Sequence, residues 1–307
     1  MDREDKIADS TGDQHFDPSI GADDEPGRRR PTWDGGRAIL YFILAAFSSL
    51  LISVLFLEPL GFHGSVIVSE VLVFGVIPLV LSAFFATGWR QWFAKPAVPH
   101  LLWPWALVAV LSFVVAQNNL LVLFDRLYPI PTSQLEFFRK YLAADSPSGL
   151  LGVLCVAALV PAVFEEVAFR GLIQSGLRLS YGPRHAVVWT GFLFATLHMN
   201  PWNFISLWSL GCFLGYVTER THSIRPAIFL HLVNNSFALV LLFLQRREGW
   251  DTRPEFIPWY WSVLAGAVMV FALWRVHRLT ERVEPLTASA QPGNPARPAD
   301  GETIPQE

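Results

Sequence analysis

Two adjacent glutamates followed by an arginine, in the run Glu165-Glu166-Val167-Ala168-Phe169-Arg170, stand in an otherwise apolar stretch. Three further stretches put polar side chains in similar surroundings: Glu70 among Val, Leu and Phe; Phe194-Ala195-Thr196-Leu197-His198; and His231-Leu232-Val233-Asn234-Asn235. A charged group at membrane depth costs at least about 2.5–3.5 kcal/mol on insertion scales, so those that persist are usually functional. A carboxylate, two imidazoles and an amide carried on three helices form a set able to activate water against a carbonyl.

Successive residues of a helix point about 100° apart, so Glu165 and Glu166 cannot both face one site and should have different roles. Glu166 and Arg170 are spaced i, i+4 with the acid first, the favourable order for a pair on one helix face. Glu165 is left without an intrahelical partner, and a carboxylate taken out of water in this way is a candidate general base. His198 lies one turn after Phe194 on the same face. His231 and Asn235 are also spaced i, i+4 and can converge on one point, as donors to an oxyanion or as part of a ligand set. Structural alternatives exist for each: one buried ion network for the three charges, a satisfied helix-end role for His198, and interhelical hydrogen bonding for His and Asn, to which Asn234 is better suited. Glu70 would either pair with Arg170 or face a wet cavity. The sequence contains no H-E-x-x-H zinc pair, no G-x-S-x-G nucleophile turn and no aspartate pair at membrane depth, which narrows the chemistry to a glutamate and histidine scheme.

The elements that carry these residues must be membrane-spanning helices. Of 307 residues, 52% are hydrophobic and 16% charged, against about 25% charged in an ordinary soluble domain. Apolar runs at roughly 38–57, 65–86, 103–124, 150–164 (continuing toward 179), 186–199, 204–217, 227–244 and 259–274 predict an all-α, polytopic transmembrane bundle of about eight helices. Pro78, Pro104 and Pro161 fall in or at the start of these runs, where a neighbouring helix can satisfy the freed carbonyl. The predicted organisation is a disordered tail over 1–32, helices one to three and a loop over 38–145, a core over 150–245, a last helix over 258–280 and a second disordered tail over 283–307. The N-terminal run is too long and starts too late for a signal peptide.

Tryptophans gather near segment ends (Trp33, Trp89, Trp92, Trp103, Trp105, Trp202, Trp250, Trp259, Trp261, Trp274), as interfacial anchors do. Arg28–Arg30, Arg37, Arg90, Lys95, Arg178, Arg184, Arg220, Arg225, Arg275, Arg278 and Arg282 fall on one side. Arg126, Arg139, Lys140, Arg246, Arg247 and Arg253 fall on the other. The bias predicts both termini in the cytoplasm, with the plasma (inner) membrane as location. The net charge of −3 gives no basic excess that would suggest nucleic acid. Cys155 and Cys212 lie in apolar segments and are assigned to packing. The absence of matching halves weakens a transporter built on inverted repeats.

Taken together, Glu165-Glu166-x-x-x-Arg170, Phe194-x-x-x-His198 and His231-x-x-x-Asn235, in that order and each in an apolar helix, resemble the CPBP family of intramembrane proteases (CAAX proteases and bacteriocin-processing enzymes, also called Abi), over roughly residues 150–245. The resemblance implies an endopeptidase within the membrane, similar to enzymes that trim the residues after a prenylated cysteine, with membrane lipid and a membrane-associated peptide or protein as partners. It implies that Glu165 and His198 activate water and that His231 and Asn235 stabilise the oxyanion, with Glu166, Arg170 and Phe194 in support. It leaves open a divalent metal such as zinc, held by Glu165, His198 and His231, or a metal-free glutamate mechanism. The competing classes are a non-catalytic scaffold or immunity-type protein of the same fold and a proton-coupled transporter. One geometric difficulty stands. At 1.5 Å rise per residue, His198 lies about 21 Å along a helix starting near Arg184, and His231 only about 8 Å beyond Pro226.

Overall fold

Long apolar runs satisfy their backbone polar groups internally only as helices, and helices are what the chain forms. The computed structural model describes residues 32–85, 89–93, 100–249 and 255–281, all within one compact unit that begins at Thr32. The two predicted tails, Arg28–Arg30, Lys95, Trp250, Arg253 and Arg282 lie outside the described residues. The α-helices are α1 (Gly35–Ser69), α2 (Ile77–Phe84), α3 (Trp89–Trp92), α4 (Leu102–Leu127), α5 (Thr132–Tyr141), α6 (Pro147–Leu154), α7 (Val160–Glu166), α8 (Gln174–Leu197), α9 (Phe204–Thr221), α10 (Arg225–Glu248) and α11 (Trp259–Thr280), with no strand among the described residues. Several of these join end to end. Wider π-type turns link α1 to α2 (Glu70–Val76), α6 to α7 (Cys155–Leu159) and α7 to α8 (Val167–Ile173).

Among the described residues, five continuous runs are long and apolar enough to cross a membrane: Gly35–Phe84, Leu102–Leu127, Pro147–Leu197, Arg225–Glu248 and Trp259–Thr280. Two of them are broken by a glycine with positive φ, Gly61 (φ 67°) two residues after Pro59 and Gly182 (φ 79°) just before Pro183. Only glycine adopts this backbone without a steric penalty, and each proline ends regular hydrogen bonding nearby. With these breaks and α9, the bundle has eight helical segments. Large apolar side chains stay exposed along the outer helices, for example Phe47 in α1 and Val263 in α11, as expected of surfaces that meet lipid tails. The protein is an integral membrane protein.

Contacts between segment ends fix the order of crossing. At one end the Gly35 N–H donates to Ser180 Oγ at 2.8 Å, the Ile224 N–H to Trp92 O at 2.9 Å and Arg220 Nε to Thr280 Oγ1 at 3.1 Å. At the other, Tyr128 stacks on Trp202, His63 Nε2 lies 2.8 Å from Tyr141 O, Asn118 Nδ2 donates to Glu255 O, and Arg246 pairs with Asp145 at 2.6 Å. The chain therefore passes from end to end eight times, and the start of α1 and the end of α11 share one end.

The central element is the Val167–Ile173 turn, in which every residue is buried. It is surrounded because its neighbours can come close. A Cβ on Gly171 would lie 2.5 Å from the Trp92 ring, and one on Gly176 2.7 Å from Trp33 Nε1. Trp33 and Trp92 are thus buried packing residues, not interfacial anchors: Trp33 is 5% exposed and its indole N–H donates to Leu172 O at 2.9 Å. Trp259, Trp261 and Trp274 do remain exposed. The cysteines divide in the same way. Cys212 packs beside Gly191, whereas Cys155 is exposed and takes no part in a core.

Candidate active site

The site is assembled on the buried helix Val160–Ile173 and completed by α1, α8 and α10. Pro161 sits in the first turn of α7, directly after the π-type turn Cys155–Leu159, and Pro78 likewise follows Glu70–Val76. Such a turn absorbs the hydrogen bond that proline cannot make, and π-type turns are frequent at functional sites. Glu70 opens one of these turns, and Glu165 and Glu166 stand immediately before another.

Glu166 is fully buried. Its Oε1 accepts from Arg170 NH1 at 2.8 Å and from His231 Nδ1 at 2.8 Å. The second guanidinium nitrogen, NH2, donates to Gly211 O on α9 at 2.9 Å, and the guanidinium lies 4.9 Å from the Phe194 ring centre. Arg170 begins a ladder with four-residue spacing on both helices. Gln174 Nε2 donates to Gly215 O at 3.1 Å and to Glu219 Oε1 at 3.0 Å, and Arg178 Nε pairs with Glu219 Oε2 at 3.0 Å. The ladder exists because α9 presents glycine to it: a Cβ on Gly215 would lie 2.9 Å from Gln174 Oε1, and one on Gly211 would come within 2.6 Å of Gly191 Cα on the segment after Gly182. The Gly211-x-x-x-Gly215 spacing was a readable sign of this close approach, though it was not among the residues singled out from the sequence.

His231 is 1% exposed and sits between the two glutamates. A carboxylate only accepts, so Nδ1 carries the proton shared with Glu166, and Nε2 faces Glu165 Oε2 at 3.8 Å. Glu165 and Glu166 point differently, as helix geometry requires, yet one imidazole reaches both. His198 is held by Nδ1–H donation to the carbonyl of Phe194 at 2.8 Å, which leaves Nε2 of the neutral ring with a free lone pair. The Phe194 ring is flanked by both imidazoles, with ring centres 4.7 Å from His198 and 5.5 Å from His231. The two imidazoles thus meet on one ring despite the axial offset expected from helix rise.

Glu165 and His198 line one cavity of about 180 Å³ together with Ser49, Ser53, Val66, Ser69, Glu70, Phe74 and Leu197. Glu165 is 6% exposed and its Oε2 has no hydrogen-bond partner. Glu70 faces this cavity and is not the partner of Arg170. Asn235 is half-buried one turn beyond His231, and its Oδ1 accepts from Asn234 Nδ2 at 3.3 Å. Asn234 therefore bonds within its own helix, not across to another. Neither His231 nor Asn235 lines the cavity. The serines, at i, i+4 spacing within α1, were missed in the sequence because single serines in an apolar helix carry no motif.

A zinc site would need three of these donors turned to a common point. Among the described residues no group of three His, Cys, Asp or Glu side chains is so arranged. The bonds from His231 Nδ1 to Glu166 and from His198 Nδ1 to Phe194 O leave the Nε2 atom of each ring outside these bonds.

Residues 147–237 match the family model described as type II CAAX prenyl endopeptidase, Rce1-like. The matched segment contains Glu165, Glu166, Arg170, Phe194, His198, His231 and Asn235. No curated protein and no solved structure gives a match.

Proposed function

We propose that the protein is an intramembrane endopeptidase in which Glu165 is the general base, a reading supported by the match of residues 147–237 to the Rce1-like type II CAAX prenyl endopeptidase model. The observation that carries this reading is the buried Glu165 Oε2, without a hydrogen-bond partner, on a side chain that shares a roughly 180 Å³ cavity with His198. A cavity of that size holds several waters, each taking about 30 Å³. A water there gives its proton to Glu165 as its oxygen attacks the scissile carbonyl carbon. The C–N bond then breaks and the proton passes from Glu165 to the departing amine, so that the carboxylate is regenerated. His198 Nε2 accepts a hydrogen bond from a neighbouring water of the cavity and so orders the water around the nucleophile.

His231 and Asn235 act on the oxyanion side of the reaction. His231 presents Nε2 toward Glu165 Oε2 at 3.8 Å. Glu166 fixes the ring, and Arg170 holds Glu166. The substrate is a peptide or protein at the membrane, with a prenylated tail as the class suggested by the matched family. The protein sits in the plasma (inner) membrane with both termini in the cytoplasm, the side favoured by the arginine-rich loops. No step runs through a metal ion.

The test is cleavage of prenylated and unmodified membrane peptides by protein purified in detergent. Glu165→Gln and His198→Ala should each lower kcat, by on the order of a hundredfold or more for the base, while the folded yield is unchanged. Cleavage that survives both substitutions removes these residues from the chemistry.

A further inference from the structure

Glu70 comes from a different part of the chain, the turn between α1 and α2, and neither sequence motif nor family match covers it. It is only 9% exposed. Its Oε2 is buried without a hydrogen-bond partner, as is Oε2 of Glu165, and both carboxylates line the same cavity. The nearby donors are committed elsewhere. Tyr41 gives its hydroxyl to Val73 O at 2.8 Å, and Ser49 and Ser69 give theirs to Ala46 O and Ser49 O. Arg170 is taken up by Glu166 and Gly211 O. Two facing acceptors in a low-dielectric site repel unless something donates to both.

Resting on the peptidase reading above, we infer that Glu70 is a second water-positioning carboxylate: the attacking water donates one hydrogen to Glu165 Oε2 and the other to Glu70 Oε2. Water is the molecule that fits, because it has two donors and leaves its oxygen lone pairs pointing away from both acids. Those lone pairs face the space into which a substrate carbonyl must come. In the reaction, the proton on the Glu165 side is the one abstracted as the O–C bond forms. The Glu70 side keeps its hydrogen bond and holds the new hydroxyl in place.

The experiment measures kcat and KM for Glu70→Leu, Glu70→Gln and Glu165→Gln with one cleavable peptide, alongside a high-resolution experimental map of the unmodified protein. Glu70→Leu should lower kcat about a hundredfold with KM nearly unchanged. Glu70→Gln, which keeps an acceptor oxygen and the side-chain shape, should recover to within about tenfold of the parent. The map should hold a water within hydrogen-bond reach of both carboxylates. Full kcat in Glu70→Leu, a Glu70→Gln variant as slow as Glu70→Leu, or a map without the bridging water overturns the inference. If Glu70→Leu does not fold, Glu70→Gln and the map decide. Persistent cleavage by Glu165→Gln instead overturns the peptidase assignment itself, and the map then still tests the bridge.

Discussion

Arg170 points two nitrogens in two directions, NH1 to a carboxylate on its own helix and NH2 to a carbonyl on α9, and both contacts are buried. Removing one partner of a buried pair leaves the other charge uncompensated, at about 3–5 kcal/mol. Arg170→Met should therefore reduce folded yield in detergent severely, as read by size-exclusion chromatography. Arg170→Lys should recover only part of it, since an ammonium lacks the fork that serves both acceptors. A normal yield for Arg170→Met would show that the pair is dispensable. The donor set makes a second prediction. With no three His, Cys, Asp or Glu side chains turned to a common point among the described residues, cleavage should persist in a strong chelator; a loss that added zinc restores would contradict this geometry. At this scale the Glu166 and Arg170 pairing was legible, because i, i+4 spacing is a local property. The bond from His231 to Glu166 was not, because it joins positions 65 residues apart and only the packing of α10 against α7 decides it.

The helices meet where glycine removes the side chain that would keep them apart. On Gly211 a Cβ would face the Cα and carbonyl of Gly191, and on Gly191 it would lie 2.8 Å from the Cys212 nitrogen and 3.0 Å from Trp208 O. These are backbone atoms and cannot swing aside, so overpacking of about 1–3 kcal/mol follows. Gly211→Ala should lower the thermal midpoint in detergent and, by shifting the acceptor of Arg170, lower activity as well. Gly152→Ala is the control, since a Cβ there meets nothing within 4 Å, and its midpoint should hold or rise slightly. Helix existence was readable from hydropathy, and the two breaks had local signatures in Pro59 with Gly61 and Gly182 with Pro183. The π-type turns were not readable, since seven buried residues from Val167 to Ile173 give the same apolar pattern whether the helix is regular or widened. Nor could composition tell that Trp33 is buried: a tryptophan beside a helix start suits an interface or a core equally until Gly176 is seen to make room for it.

Across the whole molecule, an even number of crossings means that both ends of the described chain leave from one face. The contacts that establish this are independent of the hydropathy count: Gly35 with Ser180, Ile224 with Trp92 and Arg220 with Thr280 at one end, Trp202 with Tyr128 and Arg246 with Asp145 at the other. Among the described residues, α9 is not one of the five runs long and apolar enough to span by themselves. It still crosses, because its polar groups face the Arg170, Gln174 and Arg178 ladder and not lipid. A reporter fused before Thr32 and another after Glu281 should therefore read the same side of the membrane. The positive-inside bias predicts that this side is the cytoplasm. Opposite readings from the two reporters would mean that one segment, α9 first among them, does not cross. Its removal from the span would separate Gly211 from Arg170, and with it the support beneath Glu166 and His231, so topology and site stand or fall on the same helix.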